Sequence, residues 1–184
     1  MKLKKFNAVL GFLVLLSLCG HAGTMGVSLW TGWYSFFLCK TLAKITVSLL
    51  ALHALCSLCL FFFVHDGAEL AYPKYNASTI LQRVSALLVL VLLHIHMKAY
   101  AHMATGTALS AGQTAFFCVT ELLFFASVLT HIAVSVSKGV ITLGLTTSAK
   151  AVSVIDRITY IVCGLAMLAV SGGMLSFFVG GLFK

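Results

Sequence analysis

Three features of the sequence predict an all-α integral membrane bundle of five transmembrane helices with its N-terminus cytoplasmic. Of 184 residues, 61% are hydrophobic and only 9% are charged, where a soluble domain carries roughly 25% charged residues. The mean hydropathy is +1.09. Five apolar stretches reach the ~20 residues a helix needs to cross a bilayer, and together they occupy most of the chain. Little remains for an extramembrane domain. Residues 1–184 therefore read as one transmembrane domain, and chemistry on water-soluble substrates falls to partner chains.

The first span is predicted over roughly Phe6 to Leu29. Lys2, Lys4 and Lys5 before it, with Gly20 and Ala22 at cleavage-like spacing, resemble a secretory signal. The apolar run continues past Ala22, so the segment is read as a retained helix. Trp30, Trp33 and Tyr34 follow, as aromatic residues do at a membrane interface. The second span runs from about Ile45 to Val64. His65 to Ile80 reads as a loop, because it holds Asp66, Glu69, Lys74 and the only proline, Pro73. The third span is roughly Leu81 to Met103. A small-residue turn, Ala104 to Thr114, leads to the fourth, about Ala115 to Val136, which can run past Lys138 toward Leu145. A loop with Lys150, Asp156 and Arg157 precedes the last span, Ile158 to Leu182.

The net charge of +8 invites a nucleic-acid reading. The twelve basic residues are scattered between spans, however, and follow topology. Lys2, Lys4, Lys5, Lys74, Arg83, Lys138, Lys150 and Arg157 fall on one side, and Lys40, Lys44, Lys98 and Lys184 on the other. Basic residues favour cytoplasmic loops, so eight against four puts the N-terminus inside and the C-terminus outside. No nucleic-acid partner is expected. The six cysteines sit mostly in apolar runs. Cys56 and Cys59 form a C-x-x-C that reads as two small buried hydrophobes, and the chain has no C-x-x-C-H for covalent haem attachment.

Ionisable groups inside a bilayer are costly and usually have a partner or a task. Five of seven histidines lie well inside predicted spans: His21, His53, His94, His96 and His131. His102 sits near the outer end of the third span. Histidines in four separate spans, almost without carboxylates, match what haem iron asks for, two axial imidazoles from facing helices. Two bis-histidine haems need four such helices. His21 and His96 share an outer depth. His131 lies in the inner half, and His53, near mid-membrane, pairs with it partly by elimination. His94 and His96 point roughly 200° apart on one helix, so only one can face a given iron, and spacing alone does not choose between them. Small residues flank the candidates: Gly20, Ala22 and Gly23 around His21, Ala54 after His53 and Ala133 near His131. These suit a flat macrocycle and equally suit ordinary helix packing.

Glu121 is the one carboxylate inside a predicted span, near the outer end of the fourth. A carboxyl group there either exchanges protons with a ligand beside the outer haem, together with His102, or hydrogen-bonds another helix.

In these residues the chain resembles the five-helix, dihaem cytochrome b membrane subunit of succinate:quinone and fumarate:quinone oxidoreductases. The family's third helix opens with a Gln-Arg-Val-type motif and carries a haem histidine fourteen residues after the Gln. Gln82-Arg83-Val84 stands at that spacing from His96, so the resemblance selects His96 over His94. His131, followed by Gly144, Leu145 and Thr146, matches the fourth helix, and Arg157-Ile158 matches the start of the fifth. Lys5 and Gly11 precede His21 at family spacing, and His53-Ala54 fits the second-helix ligand. The likeness implies axial pairs His21 with His96 and His53 with His131. It also implies two b haems, a quinone (menaquinone is usual for dihaem members), and flavoprotein and iron–sulfur subunits on the inner face. The implied location is the bacterial cytoplasmic (inner) membrane, as a multi-pass protein among lipid. Of Arg83, Lys138 and Arg157, Arg83 is the favoured cation for an inner-haem propionate or the iron–sulfur partner, and solvated positive-inside anchoring is the other reading of all three. The chain departs from the pattern at Asn7 and Ala8, where polar or charged residues are common. It departs again at Leu129, where some members place a glutamate implicated in proton movement.

Two other readings predict different patterns. A cytochrome b subunit of formate dehydrogenase or hydrogenase type would show four helices and a different histidine distribution. A small transporter would show intramembrane charges and helices broken by Gly and Pro.

Overall fold

The computed structural model describes residues 2–63, 73–105 and 109–182, without the side chains of 73–76, 100, 102–105 and 179–182. Five helices make up the described chain: α1 (Lys2–Thr31), α2 (Phe36–Phe63), α3 (Pro73–Thr105), α4 (Ala111–Leu143) and α5 (Ala149–Leu182). Each is long and apolar enough to cross a membrane. The all-α class is as the hydropathy predicts, and the reason is physical: in hydrocarbon a single segment satisfies its backbone groups internally only as a helix.

The helices outrun the predicted spans. α2 begins nine residues before Ile45, through Lys40 and Lys44. The Lys40 ammonium lies 4.9 Å from the Phe36 ring centroid, so this lysine is accommodated on the helix by a cation–π contact. Pro73 is not in a loop. It is the first residue of α3, where its missing N–H costs nothing and its fixed φ suits a helix start. Lys150, Asp156 and Arg157, also expected in a loop, lie in the opening turns of α5. The continuation of the fourth helix past Lys138 is observed. His65, Asp66 and Glu69 lie outside the described residues.

Helix ends follow local chemistry. α1 stops at Gly32, whose φ of 73° lets its N–H reach the Ser28 carbonyl at 3.0 Å. α4 stops at Gly144 (φ 78°). There the Gly144 N–H bonds to the Ile141 carbonyl at 2.9 Å and the Leu145 N–H to Val140 at 3.1 Å, the two bonds of a Schellman ending. α4 starts with a reciprocal cap. The Gln113 N–H donates to Ser110 Oγ at 3.3 Å, and the Ser110 N–H donates to Gln113 Oε1 at 3.0 Å.

The polarity of the surface suits a lipid solvent. Leu16, Phe37 and Leu168 are 71%, 80% and 73% exposed, whereas Ser85 and Glu121 are 2% and 3% exposed. Lipid tails are as apolar as leucine, so helix association rests on close packing and hydrogen bonds rather than on hiding apolar surface.

Two compact units emerge from the packing. The first comprises residues 1–76 and 135–157; the second comprises 77–134 and 158–184. In the first, α1 packs along α2, and the end of α4 approaches α1 closely enough that a Cβ on Gly139 would stand 3.0 Å from the Phe12 ring. In the second, α3 meets the first part of α4 through His96, Ser85 and Gln82.

Candidate functional site

His53 and His21 belong to the first unit, His96 and His131 to the second. Each pair expected from the sequence therefore draws one histidine from each unit.

In the first unit, His53 on α2 is half-buried against α1. Its Nδ1 lies 3.2 Å from the Asn7 backbone carbonyl. A carbonyl only accepts, so Nδ1 carries the hydrogen, and in the neutral ring Nε2 holds the lone pair. Asn7 is tied in turn by its side chain: Nδ2 donates to Ser57 Oγ at 3.1 Å. Gly11 makes room for the ring. A Cβ there would stand 3.2 Å from His53 Cε1. The sequence grouped Gly11 with His21, whereas the structure places it against His53. His21 is half-buried on α1, and its carbonyl accepts from Thr24 Oγ1 at 2.9 Å.

In the second unit, His131 on α4 meets α3 at the Gln-Arg-Val motif. Its Nδ1 lies 3.0 Å from the Gln82 carbonyl and 3.3 Å from Ser85 Oγ. The Ser85 hydroxyl itself donates to the Gln82 carbonyl at 3.1 Å. The hydroxyl proton is thereby committed, and the Nδ1–H is shared between two oxygens. Nε2 again holds the lone pair. One helical stretch thus carries His96 and also provides the acceptors for His131.

His96 faces α4 with Nδ1 2.7 Å from Glu121 Oε2. Its ring stacks on Phe124 at a centroid distance of 4.7 Å and an interplanar angle of 21°, with Phe125 edge-on at 6.1 Å. His94 is exposed, as the angular argument on one helix requires once its neighbour faces inward.

No protein-family model, curated protein or solved structure matches the chain.

The remaining candidates are dispersed. Arg83 is exposed on α3 beside Gln82. Glu121 is held by His96, the interhelical hydrogen bond that was one of its two expected roles; the side chain of His102 lies outside the described residues. Leu129 lines a mainly apolar groove of about 220 Å³ with Ala126, Thr130, Ala133, Cys163, Gly164 and Met167. Cys59 is exposed and Cys56 half-buried, both as free thiols, so the pair is not the buried one expected. Within each unit, no three His, Cys, Asp or Glu side chains among the described residues gather to ligate a bare metal ion.

Asn7, Ser57, Ser85 and Phe124 were not singled out as histidine partners from the sequence. Asn7 and Ser57 lie 50 residues apart, and no spacing rule links them. Ser85, three residues after Gln82 on a helix, carried the only readable hint.

Proposed function

We propose that the chain is a haem-carrying cytochrome b membrane subunit of a succinate:quinone or fumarate:quinone oxidoreductase. The observation that carries this reading is a shared state of three histidines on three helices. His53 and His131 each direct Nδ1–H to a backbone carbonyl, and His96 has Nδ1 on a carboxyl oxygen. Histidines that ligate metals almost always use their second nitrogen this way, which fixes the tautomer and ring orientation. Neutral imidazoles with an Nε2 lone pair are the donors haem iron takes.

Haem, when bound, supplies one-electron redox chemistry. The residues that would hold it are His21 with His96 for an outer group and His53 with His131 for an inner one, as the resemblance and the sequence depths suggest. Gly11 gives the His53 ring its seat, and Gln82 and Ser85 hold the His131 ring. In this reading electrons pass between an iron–sulfur partner on the inner face and membrane quinone, with a flavoprotein subunit completing the complex in a bacterial cytoplasmic membrane.

A pyridine haemochrome assay on the purified complex tests the proposal. Two b haems per chain are expected. One haem or none refutes it.

A further inference from the structure

Glu121 stands apart from the other polar groups of the second unit. It is 3% exposed on α4, inside a span, where an ionisable side chain is expensive to keep. Its Oε2 is 2.7 Å from His96 Nδ1, within the short range of charge-assisted hydrogen bonds. Its Oε1 is buried with no hydrogen-bond partner among the described residues. The carboxyl group is thus devoted, among the bonds described, to the one imidazole. The acceptors at His53 and His131 are different in kind, being neutral carbonyl and hydroxyl oxygens. The Phe124 face and the Phe125 edge bound the same His96 ring, so the ring plane is held from two sides.

We infer that Glu121 is a positioning residue for His96, aiming the imidazole and strengthening Nε2 as an electron donor to iron. This rests on the haem-carrying function proposed above. A carboxylate on Nδ1–H draws that hydrogen partly away, so the ring gains imidazolate character and favours the oxidised metal. A neutral carbonyl does this less. The two haems therefore differ in ligand strength by the design of this chain, and the difference is traced to one side chain. The role does not need Glu121 to touch haem or quinone.

The experiment is a redox titration of the purified complex, following each haem by its optical band and low-field EPR signal. Glu121→Gln keeps shape and a hydrogen-bond acceptor but removes the carboxylate. The variant is expected to retain two haems, with one titrating at higher potential. At a fixed ambient potential its oxidised-to-reduced ratio falls about tenfold, which for one electron is a shift of ~59 mV. Its EPR signal moves too, and the other haem is unchanged. The shifted haem must be the one that His96→Ala removes. Unchanged potentials and EPR signals in a two-haem Glu121→Gln protein overturn this inference alone. If Glu121→Gln does not assemble, Glu121→Asp draws the carboxylate back by one methylene and must alter the same haem; no change there also overturns the inference. A native complex without haem sinks the proposed function and this inference together.

Discussion

Gly11 and His53 are in register across α1 and α2, with a Cβ on Gly11 falling 3.2 Å from the ring's Cε1 and 3.7 Å from Nδ1. The ring fills the space a side chain would take, and its Nδ1 reaches the Asn7 carbonyl from there. Gly11→Ala asks the ring to give by a few tenths of an ångström. Gly11→Leu leaves it no room. The leucine variant is expected to lose the haem that His53 serves while keeping the other. Reduced-minus-oxidised spectra of the purified protein check this, and a full complement of haem in Gly11→Leu refutes it.

His94 and His96 are separated by the same method. His96→Ala should remove one haem and leave the second. His94→Ala should keep both, because His94 is exposed. The reverse result assigns the ligand to His94.

Ser85→Ala tests which oxygen holds His131. The Gln82 carbonyl at 3.0 Å remains after the hydroxyl is lost. Both haems should persist, and stability should fall by about 1 kcal/mol, the net worth of one hydrogen bond. Thermal unfolding in detergent, read by haem absorbance, measures it. Loss of a haem would make the hydroxyl the principal partner.

The five helices were legible because a bilayer forces nearly every residue of a span to be apolar, and such runs stand out in one dimension. Their ends were less so. Lys40, Pro73 and Lys150 read as breaks but sit within helices, since a lysine near the interface can extend to water and a proline can open a helix. The histidines were visible as polar groups in apolar runs, and Glu121 likewise. Their partners were not. A backbone carbonyl such as those of Asn7 and Gln82 carries no residue-type signature, and the Glu121–His96 bond joins positions 25 residues apart.

Ser110→Ala breaks the cap at the start of α4. The expected cost is about 1 kcal/mol, with haem spectra and potentials unchanged. Circular dichroism on heating in detergent gives the first, and a redox titration the second. A spectral change would mean that the cap reaches the haem environment.

Arg83→Leu tests the proposed role of this cation beside an inner haem or an iron–sulfur partner. Arg83 is exposed beside Gln82, whose carbonyl holds His131. A changed inner-haem potential or impaired assembly with the iron–sulfur partner is expected. A variant normal in both removes Arg83 from the site.

The first unit is discontinuous in sequence, and this orders its biogenesis. α1 and α2 follow one another closely, so their hairpin, with His53 already turned toward Asn7, can close while the ribosome is still making α3. Phe12 must wait for Gly139, more than a hundred residues later. One histidine is therefore oriented early in synthesis, and the unit that holds it is closed only when the fourth helix arrives.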